Sequence, residues 1–203
     1  MKGFAYLLGG DGKVERLSID DALDRTGGIA LLWLHLDAND PDVIDWLEHR
    51  SGINPVVAAA LVATETRPRT EPIDEGALIN LRGLAEKPLS MSDSLASIRL
   101  WADTGRVISA SRYPLSALPA VETDMARGTI TDPGDLIAAI ATAITGQLDP
   151  DVATLGDELD DCEEGIDEKR LFALRRGISR VRAQAIGYRR FVAPQRDALE
   201  RLS

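Results

Sequence analysis

Two kinds of hydrophobic pattern share the chain, and the change between them falls near Pro114. Before it, apolar residues come in short runs of strand length, separated by polar turn chemistry. Phe4–Leu8 is such a run, Gly9-Gly10-Asp11-Gly12 supplies a turn, and Lys13–Leu17 predicts a returning strand. Asp20-Asp21 opens a short helical turn over Ala22 and Leu23. Ile29–Leu36 is a continuous apolar run carrying His35 near its end, the pattern of a strand buried on both faces. Asp37 to Pro41 is a helix start, with an aspartate cap and proline at the first helical position. That helix carries Val43, Ile44, Trp46 and Leu47 and stops near Gly52; Asn54-Pro55 opens a second, through Val62. Thr64–Gly76 is polar, holds Pro68 and Pro72, and reads as loop or extended edge. Ala77–Leu84, Leu95–Trp101 and Arg106–Ser111 are three more strands, the last two joined as a hairpin through Asp103-Thr104-Gly105.

After Pro114 the strand signals stop and four helical segments are expected: Pro114–Arg127, Pro133–Leu148, Pro150–Glu168 and Lys169–Ser203. In the third, Val152, Leu155, Leu159, Cys162 and Ile166 recur at alternating steps of three and four, a heptad seam. The rest of Asp149–Glu168 is dominated by ten acids with no base. The fourth continues the same seam through Leu171, Leu174, Ile178, Val181, Ala185, Tyr188, Val192, Gln195, Leu199 and Leu202, with ten basic residues against Asp197 and Glu200. A break near Gly165–Lys169 lets the two fold back as an antiparallel hairpin of opposite charge. Pro194 predicts a kink, or a break near Phe191. The seam runs to Leu202 without a glycine cap or polar tail, so it is expected either to pack against copies of itself or to continue into further sequence.

Composition narrows the function classes. The 203 residues are 44% apolar, enough for a core, and only 4% aromatic, so that core is aliphatic. A net charge of −10 argues against a dedicated nucleic-acid binder and against general attraction to anionic lipid. One cysteine, Cys162, excludes an intrachain disulfide framework and any CxxC motif. The N-terminal apolar stretch is too short for a signal peptide, and no run approaches the roughly 20 apolar residues that span a bilayer, so the chain as given reads as soluble.

Catalytic motifs are missing: there is no phosphate-binding GxxxxGK[ST], no GxGxxG, HExxH or GxSxG, and no nucleophile paired with a base at recognisable spacing, so the chain reads as a non-enzyme. His35 reads as a hydrogen-bonded core or edge residue, His49 as a cation at a helix C-terminus, and Cys162 as a small seam residue. Asp157, Asp161, Glu164 and Glu168 share one helix face at i, i+4, i+7 and i+11, and such a face can hold Mg²⁺ or Zn²⁺ weakly; the alternative is a solvated acidic face. Arg67 and Arg69, two residues apart on an extended segment, point to one side and make a candidate anion site, with ion pairs to Glu65, Glu71 or Glu75 as the alternative.

Several stretches, in order, carry a family resemblance: Trp33-Leu34-His35-Leu36-Asp37, Glu65-Thr66-Arg67-Pro68-Arg69, Glu75 to Gly83, Gly105-Arg106-Val107-Ile108-Ser109, and Val192-Ala193-Pro194-Gln195-Arg196-Asp197. Together they resemble the CorA-type metal ion transporter superfamily, in its ZntB-like zinc transporter branch. The resemblance implies an α/β fold: an α/β/α sandwich with a mixed sheet over residues 1–148, then an acidic helix and a long stalk helix over 149–203. It implies a homo-oligomer, pentameric in the full-length protein, lodged in the cell inner membrane with this domain facing the cytoplasm. Membrane helices would follow the stalk, and the Gly-Met-Asn pore signature expected there is absent from this chain. The expected function is that of a regulatory, ion-funnelling domain of a divalent cation transporter, with Zn²⁺ or Mg²⁺ as transported or regulatory ions and no tightly bound cofactor. A soluble, self-associating adaptor module is the alternative.

Overall fold

The computed structural model describes residues 1–64, 67–89, 94–164 and 171–202. Seven strands form one sheet in the order β2-β1-β3-β7-β6-β5-β4, with β1 Gly3–Gly9, β2 Val14–Leu17, β3 Ile29–Asp37, β4 Arg69–Ile73, β5 Gly76–Leu84, β6 Leu95–Asp103 and β7 Arg106–Ser111. Every neighbouring pair is antiparallel except β3 and β7, so the sheet is mixed.

β3 shows why both faces must be covered. Successive residues of a strand point to opposite faces. Leu31 and Trp33 enter one core, and Leu34 and Leu36 enter the other. The second core is closed by α1 (Ile19–Leu23), α2 (Pro41–His49) and α3 (Pro55–Val62), through Ile19, Val43, Trp46, Val57 and Leu61. The first is closed by α4 (Leu118–Ala126) and α5 (Pro133–Glu164), through Val121, Met125, Leu136, Ile140 and Ile144. The result is the expected α/β/α sandwich.

The helix starts read from sequence are present. Asp40 caps α2, its carboxylate accepting from the Asp42 N–H at 3.2 Å and also from the Lys2 N–H at 2.6 Å. Asn54 caps α3, accepting from the Val56 N–H at 2.9 Å. Such caps satisfy N–H groups that the first helical turn leaves without partners.

Four details differ from the sequence reading or settle it. Thr64–Gly76 reads as loop or edge from sequence, and its Arg69–Ile73 part is the edge strand β4, paired with Gly76–Asn80. The helix expected from Pro114 starts at Leu118, because Pro114 and Leu115 bridge the end of β5: Glu86 N–H donates to the Pro114 carbonyl at 2.9 Å, and Leu115 is buried. The two helices expected on either side of Asp149 are one helix, α5, 32 residues or about 48 Å long, with Pro150 inside it. The last helix, α6 (Leu171–Glu200), runs through Pro194, so of the kink or break expected there the break near Phe191 is not found. Helices in proteins owe most of their stability to the packing of an apolar face rather than to local preference.

α6 lies along α5 in antiparallel sense: Arg180 pairs with Glu158 at 3.2 Å, and Gly177 lies against Cys162. Its C-terminal half is fastened to the sheet edge. The Gln195 side-chain oxygen accepts from the Arg82 backbone N–H at 2.7 Å, and the Thr70 hydroxyl donates to the Ala198 carbonyl at 2.7 Å. Phe191 lies under the Arg82 guanidinium, 4.2 Å from ring centre to Cζ. Gln195→Leu is expected to lower stability by about 1–3 kcal/mol, the usual effect of losing a partner from a buried hydrogen bond. In hydrogen exchange the loss of protection should concentrate in α6 and β5; urea unfolding and exchange measured together check this.

Candidate functional site

Three places in the fold gather polar chemistry or open apolar surface. One is the α5–α6 pair. α5 leaves the sheet after Leu148 and continues as a rod. Along α6 the heptad seam divides. Val181, Tyr188 and Gln195 face inward, with Val181 6% and Gln195 6% exposed. Ile178, Ala185 and Val192, at the alternate seam positions, lie open, with Ile178 at 42% and Val192 at 44%. Ile186 on α6 and Val152 and Leu159 on α5 are exposed as well. A seam filled on one side and bare on the other is half of a helix–helix interface.

Charge flanks this strip. On α5, Asp157, Asp160 and Asp161 are exposed; on α6, Arg175, Arg176, Arg182, Arg189 and Arg190 are exposed. The candidate metal residues fall as follows. Asp157 and Asp161 are four residues apart on α5, with no ion pair among the described residues. Glu164 is the last residue of α5, and Glu168 lies outside the described residues. Among the described residues no group of three or more His, Cys, Asp and Glu side chains is arranged to hold a metal ion. Cys162 is half-buried against Gly177.

Arg67 and Arg69 are both exposed on either side of the buried Pro68. Arg69 pairs with Glu71 at 3.3 Å. Three other arginines, Arg82 on β5, Arg99 on β6 and Arg112 after β7, stand round one cavity and were not singled out from sequence. The signal was there in Arg99: it interrupts the apolar run Ile98-Arg99-Leu100-Trp101 in the middle of a strand.

The third place is His35. Strand β3 sets its ring between two serines of β7 at the rim of a cavity of about 270 Å³ that Phe4, Asp37, Arg112 and Glu122 also line. Trp33 Nε1 donates to the Ser109 hydroxyl at 2.9 Å, and that hydroxyl donates to the Leu34 carbonyl at 3.3 Å. His35 Nδ1–H then donates to the same oxygen at 2.8 Å, and Nε2 accepts from Ser111 at 3.3 Å, which is the bonding of a neutral ring. Burial pushes its pKa down to about 4, against a weaker upward pull from Asp37. His35 is thus a satisfied core residue, as the sequence suggested. His49 sits on the last turn of α2 beside Asp45, at 3.2 Å.

Residues 29–203 match the family model described as CorA-like Mg2+ transporter protein. The chain belongs to this family. It is 32% identical over 201 residues to the zinc transport protein ZntB of Klebsiella pneumoniae subsp. pneumoniae, an alignment covering 98% of this chain and 60% of that protein. The full-length CmaX protein superposes with a TM-score of 0.81 at 28% identity, over 98% of this chain and 63% of that one. The ZntB cytoplasmic domain from Vibrio parahaemolyticus gives 0.75 at 21% identity, covering all of this chain and 80% of that one. The CorA magnesium transporter from Methanocaldococcus jannaschii gives 0.72 at 17%, covering 100% and 63%. The last two likenesses speak to the fold. The chain spans about 60% of the length of the curated relative it matches. No helix among the described residues is long and apolar enough to cross a membrane.

A neutral buried histidine ties stability to pH. The unfolded ring takes a proton below its ordinary pKa of about 6.5, while the folded ring resists until about 4. Stability is therefore complete above that window and falls as pH drops through it, by on the order of 3 kcal/mol. Urea unfolding at pH 7.5, 5.5 and 4.0 should show the wild type losing that amount relative to His35→Gln, which cannot titrate.

Proposed function

We propose that this chain is the cytoplasmic, ion-funnelling and regulatory part of a ZntB-like divalent cation transporter, with zinc as the carried ion. The observation that carries the reading is the half-filled seam of α6: Val181 and Gln195 are buried while Ile178 and Val192, one helical turn away, are open. Membership of a transporter family and the 32% identity to a zinc transport protein support it.

In this reading the open strip meets the same strip of neighbouring copies, and the copies form a closed ring, a pentamer in the whole protein. Residues 1–148 serve as the body and 149–203 as the charged hairpin and stalk. The stalk leads toward membrane helices in the inner membrane. The acidic face of α5 gathers divalent cations, with Asp157, Asp161, Glu164 and Glu168 as the carboxylates whose mutual repulsion a bound Zn²⁺ or Mg²⁺ screens. A bound ion is the largest local charge in such a place, so modest occupancy biases the packing of the stalks. The chain itself performs no catalysis, and no tightly held cofactor takes part.

The reading frame beyond Ser203 and transport by its product test this together. The frame is expected to continue into two apolar segments of membrane-spanning length, and its product in proteoliposomes to move Zn²⁺. A stop codon at 203, with the chain found wholly in solution, overturns transport and leaves a self-associating adaptor, the alternative that the open strip also suits. Millimolar Zn²⁺ or Mg²⁺ should shift the oligomeric state or Tm of this chain, and Asp157→Asn with Asp161→Asn should blunt the shift. Unchanged behaviour overturns the regulatory role.

A further inference from the structure

Arg99 stands in the middle of β6 and is 1% exposed. A guanidinium keeps its charge at any physiological pH. Even with burial and the neighbouring Arg112 pushing its pKa down to about 10, it is a cation at neutrality. Among the described residues neither its Nε nor its Nη1 meets an acceptor. A charge buried in this way is costly unless something of opposite sign comes to it.

The register shows what surrounds it. Asn80 on β5 and Ala110 on β7 are directly opposite Arg99, so their side chains share its face of the sheet. Asn80 is 1% exposed, and among the described residues both polar atoms of its amide are likewise without a partner. Two residues further along the same face come Arg82 and Ser97, paired with each other, and Arg112. Arg82, Ser97, Arg99 and Arg112, with Thr64 and Tyr113, line a cavity of about 360 Å³.

Two of these guanidiniums are fixed from behind. Arg82 Nη2 donates to the Leu95 carbonyl at 2.7 Å. Arg112 donates from Nη2 to the Val62 carbonyl at 2.6 Å and from Nη1 to Asn39 Oδ1 at 3.0 Å, while its buried Nε meets no acceptor among the described residues. The cavity is therefore walled by positioned donors. Its chemistry is the inverse of a metal site. Planar guanidinium forks match the oxygens of phosphate and similar groups, and charge-assisted bonds of that kind are the strong ones. The volume falls in the range of small-ligand sites, about 300–1,000 Å³.

We propose that this cavity binds a tetrahedral oxoanion, either inorganic phosphate or the phosphate group of a small ester, with Arg99 as the central donor and Arg82 and Arg112 at its sides. The site is separate from the acidic face of α5 and independent of the transport reading. Its wall reaches α6, because Arg82 is the residue that Gln195 and Phe191 hold.

Calorimetry and thermal unfolding of the whole chain at pH 7.5 and constant ionic strength test the site, with inorganic phosphate and AMP as probes and chloride as control. The wild type should bind saturably, with a rise in Tm that chloride does not produce. Response to phosphate marks a free-ion site; response to AMP alone marks an ester site. Arg99→Met should weaken binding about tenfold or more, the scale of losing charge-assisted bonds. Ser97→Glu sets a carboxylate in the cavity as an internal counter-ion; it should abolish binding with stability kept or raised, and it decides the matter if Arg99→Met does not fold. No saturable response to either probe, or equal responses in wild type and Ser97→Glu, overturns the proposal.

Discussion

The ladder between β4 and β5 stops at Asn80, opposite Arg69, and two residues on, the Arg82 N–H is taken by the Gln195 side chain instead of by a strand. With the Thr70 hydroxyl on the Ala198 carbonyl, this makes the final turns of α6 an extension of the sheet edge by hydrogen bonds. Everything peculiar to the molecule depends on that fastening. A helix of 30 residues held at its C-terminal third must send the remainder away from the sandwich, and α5, 32 residues long, runs beside it. The pair therefore projects, one seam satisfied between them and the other open. The Val192 to Asp197 stretch, which carries part of the family likeness, is accordingly a structural joint: Gln195 is buried to hold a main-chain N–H, and Pro194 inside the helix is tolerated where packing on the sheet supplies what local preference does not.

Most of the sandwich was legible in the sequence because its signals are local. Capping residues followed by proline mark α2 and α3, and the run Ile29–Leu36 marks a strand with two buried faces. What was not legible depended on partners distant in the chain. Pro150 looks like a boundary in a list of residues, but the stripe Leu136-Ile140-Ile144-Leu148 pins the preceding turns to the sheet and the contact with α6 holds the following ones, so the helix continues. Pro114 and Leu115 look like a helix start until β5 is there for them to bridge. The seam of α6 was read correctly as a period, but a period does not say which of two adjacent rows finds a partner within the chain; only the three-dimensional pairing with α5 divides Val181 from Ile178.

The same distinction governs the charged groups. The acids of α5 and the bases of α6 were visible as composition, and the structure shows that Glu158–Arg180 joins them across the pair while Asp157 and Asp161 remain at the surface. Exposed pairs of this kind are worth about 0–1 kcal/mol each, so they set the direction of pairing more than its strength. The arginines that attract attention in sequence, Arg67 and Arg69, are exposed, and Arg69 already has Glu71. Arg82, Arg99 and Arg112 are scattered along the sequence, and only the strand register gathers them round one cavity.

An acidic protein that buries an arginine whose Nε and Nη1 meet no acceptor among the described residues combines opposite electrostatic demands in one domain. The exposed carboxylates of α5 set up a negative field that salt screens. The arginine cavity suits an anion held at short range, where the surroundings of the sheet make each hydrogen bond count for more. The two meet mechanically in Arg82. Its side chain walls the cavity, its N–H fastens Gln195, and its guanidinium rests on Phe191 of the same helix. A change in how Arg82 is held at the cavity is thus a change in how α6 is held at the sheet. Such a change would be passed to α6, a helix about 45 Å long that the Thr70–Ala198 hydrogen bond, the contact of Phe191 and Leu199 with the core and the packing on α5 also hold.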